Sequence, residues 1–203
     1  MTRHQDKSQL PPSCRLTLLL IRHGKTEANQ TGVIQGHADS PLTEVGIRSS
    51  VVKADKLAPF PVSAIYCSDL PRARSTLAII QKRSPDLPAP TFTSVLREID
   101  FGEYTGSVKQ DIWETIKRHK STTSIKYPGG ESGDDLRARV EEFIHDACRR
   151  HHGEHVLAIS HYGVIETMVK RYAGFPAEDY FQIDEETVVV LGFDGATAGM
   201  TLL

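Results

Sequence analysis

Residues 16–21 form a short, nearly continuous apolar run, the pattern of a strand covered on both faces. Beyond a polar stretch, apolar positions recur at helical spacing over residues 43–57, with Thr43 placed to cap that helix. Residues 64–67 read as a second buried strand, and residues 70–83 as a helix closed by Ser84-Pro85, since a residue before proline is driven out of the helical region. Residues 91–95 fit a third strand.

Past a glycine-rich loop, residues 108–120 have helical period, with Ile112, Trp113 and Ile116 on one face. Tyr127-Pro128-Gly129-Gly130 breaks the chain. A long amphipathic helix follows over residues 132–150, with Leu136, Val140, Phe143, Ile144 and Ala147 as its apolar stripe. Residues 155–159 predict a strand, 164–172 a helix, and 187–193 and 200–203 two closing strands. This alternation argues an α/β domain: a three-layer sandwich with a mainly parallel central sheet flanked by helices. Residues 1–15 are polar, contain Pro11-Pro12 and read as a loose arm before a single domain over 16–203.

Composition narrows the function classes. With 24 Lys+Arg against 26 Asp+Glu and a net charge of −2, the chain lacks the basic excess of a nucleic-acid binder. No apolar run is long enough to span a bilayer, and the first fifteen residues lack the apolar centre of a signal peptide. Cys14, Cys67 and Cys148 are odd in number, widely spaced and without a CxxC pair, which favours free thiols in a reducing compartment. The expectation is a soluble, cytoplasmic protein. The closing strands at 187–203 could pair between chains, so a homodimer is an open possibility.

In open α/β sheets ligands gather beyond the carboxyl ends of the strands, and there the residues change character. The predicted strands lead into Arg22-His23-Gly24, into Ser68-Asp69-Leu70-Pro71-Arg72, toward Arg97-Glu98, and into Ser160-His161-Tyr162-Gly163. Arginines and histidines converging on one rim of an acidic protein form an anion pocket, and a guanidinium fork matches the oxygens of a phosphate. A histidine among arginines is disfavoured as a cation, leaving a ring nitrogen free to act as a nucleophile. A zinc site at His151, His152 and His155 lacks a fourth ligand at metal spacing, so no metal is expected.

The segment Leu20-Ile21-Arg22-His23-Gly24-Lys25-Thr26-Glu27-Ala28-Asn29 resembles the signature of the histidine phosphatase superfamily, the phosphoglycerate mutase-like proteins. Gln35-Gly36-His37 through Thr43 and Gly46, Ser68 to Ala73 with Thr76, Leu96 to Gly102 with Gly106, Pro128 to Ser132, and Ser160 to Ile165 resemble its further motifs, in order. The resemblance implies the phosphoglycerate mutase-like fold, with His23 as a nucleophile that becomes a phosphohistidine. It further implies Arg22, Arg72 and His161 around the phosphoryl oxygens, Glu98 as proton donor and acceptor, and Asn29, Gln35, Gly36 and Tyr162 as substrate contacts. Asp100 and Glu103 lie near Glu98, but Glu98 alone matches the family position.

The sequence departs from the family pattern at Lys25, Thr105 and Tyr162, which bears on substrate choice and not on the core chemistry. Only 63 residues separate Glu98 from His161, whereas the family's mutases carry longer insertions there. A pocket with less cover admits water, so the expected activity is a phosphomonoesterase acting on a small phosphorylated metabolite without metal or organic cofactor. A cofactor-dependent phosphoglycerate mutase and a non-catalytic phospho-ligand sensor are the alternatives. A sensor has no use for a proton donor beside the phosphate.

Overall fold

The computed structural model describes residues 10, 13–176, 181–195 and 197–203. Its strands are β1 (Arg15–Arg22), β2 (Val62–Ser68), β3 (Pro90–Thr93), β4 (Glu154–Ser160), β5 (Val188–Asp194) and β6 (Thr197–Leu202). Its helices are α1 (Glu27–Thr31), α2 (Glu44–Leu57), α3 (Pro71–Arg83), α4 (Trp113–Ser121), α5 (Gly133–Arg150) and α6 (Tyr162–Tyr172). The strands form one sheet in the order β3-β2-β4-β1-β5-β6. The first three pairings in that order are parallel, while β5 and β6 are antiparallel additions. The three-layer, mainly parallel architecture expected from the sequence is the one observed.

The apolar run of β1 explains the layering, because successive side chains on a strand point to opposite faces. Leu16, Leu18 and Leu20 join the stripe of α5 and the apolar side of α6 in one core. Leu19 and Ile21 join Ala54 and Leu57 of α2 and Ala73, Leu77 and Ile80 of α3 in the other. Thr43 and Ser132 cap α2 and α5 by accepting the Gly46 and Asp135 backbone N–H groups.

Several expectations need correction. The helix expected over 108–120 begins only at Trp113, and Trp113 is 41% exposed while Ile116 is buried; the helical period before it belongs to turns. The strand expected over 91–95 ends at Thr93 and runs into a single 3-10 turn at Ser94–Leu96. Helix α1, five residues long, has too few apolar positions to show a period; a capping box between Thr26 and Asn29 and a left-handed Gly32 define it. Of the two closing strands only β6 lies at a sheet edge.

The cysteine reading is also overturned. Cys14 and Cys148 are joined by a disulfide that ties the chain before β1 to the last turn of α5, leaving buried Cys67 as the free thiol. This withdraws the cysteine argument for a reducing compartment. Leu10 and Cys14, placed by the sequence in a loose arm, are buried in the core under α5.

A cross-link between residues 134 apart restricts the unfolded chain and stabilises the fold by about 2–5 kcal/mol. Urea unfolding with and without dithiothreitol should therefore differ by about that amount. Coincident curves, with both thiols titratable in the untreated chain, would contradict the bond.

Candidate active site

The parallel register of β1 and β4 sets Arg22 opposite Ser160, so the residues that follow, His23 and His161, leave the sheet side by side. Their ring centroids are 5.0 Å apart, and the His23 N–H donates to the Ser160 carbonyl at 2.9 Å. Arg72 arrives from the first turn of α3, after β2, and Glu98 from the loop that follows β3 and its 3-10 turn. The Thr76 hydroxyl accepts from the Gly24 N–H at 2.9 Å and donates to the Arg72 carbonyl, locking α3 to the loop that carries His23.

His23 is 3% exposed. Its Nδ1 lies 2.8 Å from the Gly24 carbonyl; a carbonyl only accepts, so Nδ1 carries the proton and Nε2 the lone pair. Burial first, then the Arg22 and Arg72 charges, hold its pKa well below 6.5 and keep the ring neutral. The buried Arg72 guanidinium donates from Nε to His23 Nε2 at 3.3 Å, and from Nη1 and Nη2 to the Ala38 and Gly36 carbonyls at 2.8 Å each. Three of its five N–H bonds are thus engaged, and two remain for a ligand.

His161 is fully buried, and burial, His23 and the nearby arginines likewise hold its pKa well below 6.5. Its Nε2 lies 2.8 Å from the Ser68 hydroxyl, which also accepts from the Leu70 N–H. With the hydroxyl hydrogen directed to Nε2, the ring proton sits on Nδ1, a buried atom with no partner among the described residues. Arg22 has a buried Nε in the same condition, while its Nη1 lies 4.0 Å from a Glu185 carboxylate oxygen. Two unsatisfied buried donors beside a neutral histidine suit an oxyanion.

Glu98 faces this group from the start of α6, where the Gly163 N–H donates to both of its carboxylate oxygens at 3.2 and 3.3 Å. A Cβ on residue 163 would collide with Glu98 Oε1, so glycine is required for the carboxylate to lie there. The Glu98 carbonyl accepts from His37 Nε2 and from Arg139 Nη2, and Arg139 is itself paired with Glu131. Asp100, by contrast, accepts from the Gly102 N–H.

Among the other expected contacts, Gly36 offers its carbonyl to Arg72, and Gln35 is buried with an unpartnered Oε1. Asn29 spends its Oδ1 on the Thr26 N–H within the α1 cap, leaving its NH2 end as a donor. The Tyr162 hydroxyl donates to the Phe181 carbonyl at 2.6 Å, and its ring lies beneath Arg22. Ser68 and Arg139 went unassigned in the sequence. Arg139 sits beside Val140 on a helix face that the apolar stripe marks, but only packing shows that its guanidinium is turned inward. His151 is held between the Tyr66 hydroxyl and Glu154.

Both site histidines are neutral in the folded protein, whereas unfolded ones gain protons below about pH 6.5. Their contribution to stability is thus complete above that pH and lost as pH falls through it, by up to about 1.4 kcal/mol per pH unit for each ring. Urea unfolding at pH 7 and 5 should show the loss, and His161→Asn should reduce its slope. Site-ring resonances that titrate near pH 6.5 would contradict the assignment.

Residues 18–203 match the family described as the histidine phosphatase superfamily (branch 1). The chain is 30% identical over 177 residues to the adenosylcobalamin/alpha-ribazole phosphatase of Escherichia coli (strain K12), covering 84% of this chain and 86% of that protein. It is 32% identical over 167 residues to the metal-independent phosphoserine phosphatase of Arabidopsis thaliana, covering 76% and 67%. The crystal structure of the alpha-ribazole phosphatase from Shigella flexneri superposes with a TM-score of 0.78 at 28% identity, over 92% of this chain and 95% of that one. Since the match spans nearly the whole chain and takes in all four strand ends that build the site, this protein belongs to branch 1 of the histidine phosphatase superfamily.

Proposed function

We propose that this protein is a phosphatase that hydrolyses a small phosphorylated metabolite through a phosphohistidine on His23, without a metal or organic cofactor. The observation that carries the reading is the neutral His23 ring: with Nδ1–H committed to the Gly24 carbonyl, its lone pair on Nε2 stands among Arg22, Arg72 and His161. The curated relatives compared above are phosphatases, which supports hydrolysis as the outcome.

His23 Nε2 attacks phosphorus, forming the N–P bond as the P–O bond to the leaving alcohol breaks. The two spare N–H bonds of Arg72, the Arg22 Nε–H and the His161 Nδ1–H neutralise the equatorial oxygens, the part a metal ion plays elsewhere. Glu98, protonated, gives its proton to the departing alkoxide. Its carboxylate then takes a proton from water, whose oxygen attacks phosphorus and releases His23 and inorganic phosphate. The Gly163 N–H holds that carboxylate in place between the two steps.

The relatives act on different phosphomonoesters by name, so the panel that tests the reading includes α-ribazole phosphate, phosphoserine and 3-phosphoglycerate. Phosphate release in EDTA is expected from wild type and should fall by roughly 10³-fold or more in His23→Ala. Release that requires added metal would overturn the metal-free route, and no release from any ester would overturn the phosphatase. Gly163→Ala should shift the Glu98 carboxylate and lower kcat about tenfold or more, with a melting temperature near that of wild type because a flexible side chain yields to the methyl. Unchanged kcat in that variant would remove Glu98 from proton transfer.

A further inference from the structure

We infer that Lys53 is a positioning residue of the anion pocket, an ammonium group buried behind Arg22 and His23 that clamps the peptide between them and adds positive charge beneath the bound anion. This rests on the anion-binding part of the proposed function and deepens it.

Lys53 is completely buried. It lies on the inward stripe of α2, between Ser50 and Leu57, where helical spacing calls for an apolar or small residue. Its Nζ donates to the Arg22 carbonyl at 2.9 Å. That carbonyl belongs to the same peptide group as the His23 N–H, which donates to Ser160. Both polar atoms of the peptide that leads into His23 are therefore held, the N–H by β4 and the C=O by Lys53. Without the ammonium, this carbonyl at the end of β1 loses its partner, and the peptide that aims both Arg22 and His23 loses one of its two restraints.

An ammonium in this position carries a cost. Taking a charge out of water is expensive unless it is well paired. Burial pushes the Lys53 pKa from 10.5 down to about 8, opposed by Glu185 and Asp184 from the segment before β5 and reinforced by Arg22 at the end of β1 and Lys56 on its own helix. His23 in turn feels the Lys53 charge, which disfavours its protonated form. The cation is thus present at neutral pH and is lost just above it. An apolar residue in this place would neither hold the Arg22 carbonyl nor charge the floor of the pocket.

The test is calorimetric binding of tungstate, a tetrahedral dianion whose charge is constant across the range, from about pH 6.5 to about 9.5, alongside thermal melting. It requires no turnover. Wild type should lose affinity about tenfold through a step near pH 8. Lys53→Met should bind at the weaker level throughout, without a step. Glu185→Gln should move the step to lower pH, which keeps the inference open to refutation if Lys53→Met fails to fold. A step that persists in Lys53→Met, a step unmoved in Glu185→Gln, or unchanged affinity in a folded Lys53→Met would overturn it. Binding by wild type without any step overturns this inference alone, whereas no tungstate binding overturns the pocket as well.

Discussion

The parallel pairing of β1 with β4 is the constraint on which the rest of the site depends. Parallel register brings strand ends out together on one edge of the sheet, and here it sets Arg22 against Ser160. The next residue on each strand is a histidine, and backbone hydrogen bonding from His23 to Ser160 fixes their spacing. Everything else is arranged around that pair. β2 lies on the far side of β4 and delivers Ser68 and Arg72, and β3 beyond it leads to Glu98. Sheet order thus becomes the order of functional groups across the pocket.

Electrostatics then divides the labour between cations and neutral rings. Desolvation and the guanidinium charges act in the same direction on both histidines, so these remain neutral while the arginines stay charged. The Glu98 carboxylate lies on the α6 side, where the Gly163 N–H faces it. Its own backbone is braced by His37 and by Arg139, which Glu131 orients in turn. The motif Pro128-Gly129-Gly130-Glu131 therefore acts on the site at one remove: it holds Arg139, which holds the Glu98 backbone.

The two apolar cores supply the rigidity that this arrangement needs. β1 is covered by α5 and α6 on one face and by α2 and α3 on the other, so the peptide entering His23 has little room to move. Close packing of that kind makes buried polar groups costly unless they are paired. His145 Nε2 and Tyr172 Oη, away from the pocket, also lack partners among the described residues, but Arg22 Nε and His161 Nδ1 are two such donors beside His23. Their common location is better explained by a ligand than by imperfect packing.

Much of this was legible in the linear chain. Uninterrupted apolar runs marked the buried strands, Thr43 and Ser132 marked helix starts, and the residues after each strand supplied most of the side chains that meet at the candidate site. Each of these signals is local, set by period and by the backbone preferences of a few neighbours. The beginning of α4 was misjudged because turns can mimic a helical period over five residues. Leu10 and the Cys14–Cys148 pair were missed because contact across 134 residues leaves no mark on either neighbourhood. Arg139 and Lys53 were missed because a polar residue's burial depends on which surface covers it. The sequence by itself determined the strands, the caps and which polar residues follow the strand ends. Tertiary structure alone decided which charged side chains turn inward, since that depends on neighbours distant in the chain and on the free energy of removing those charges from water.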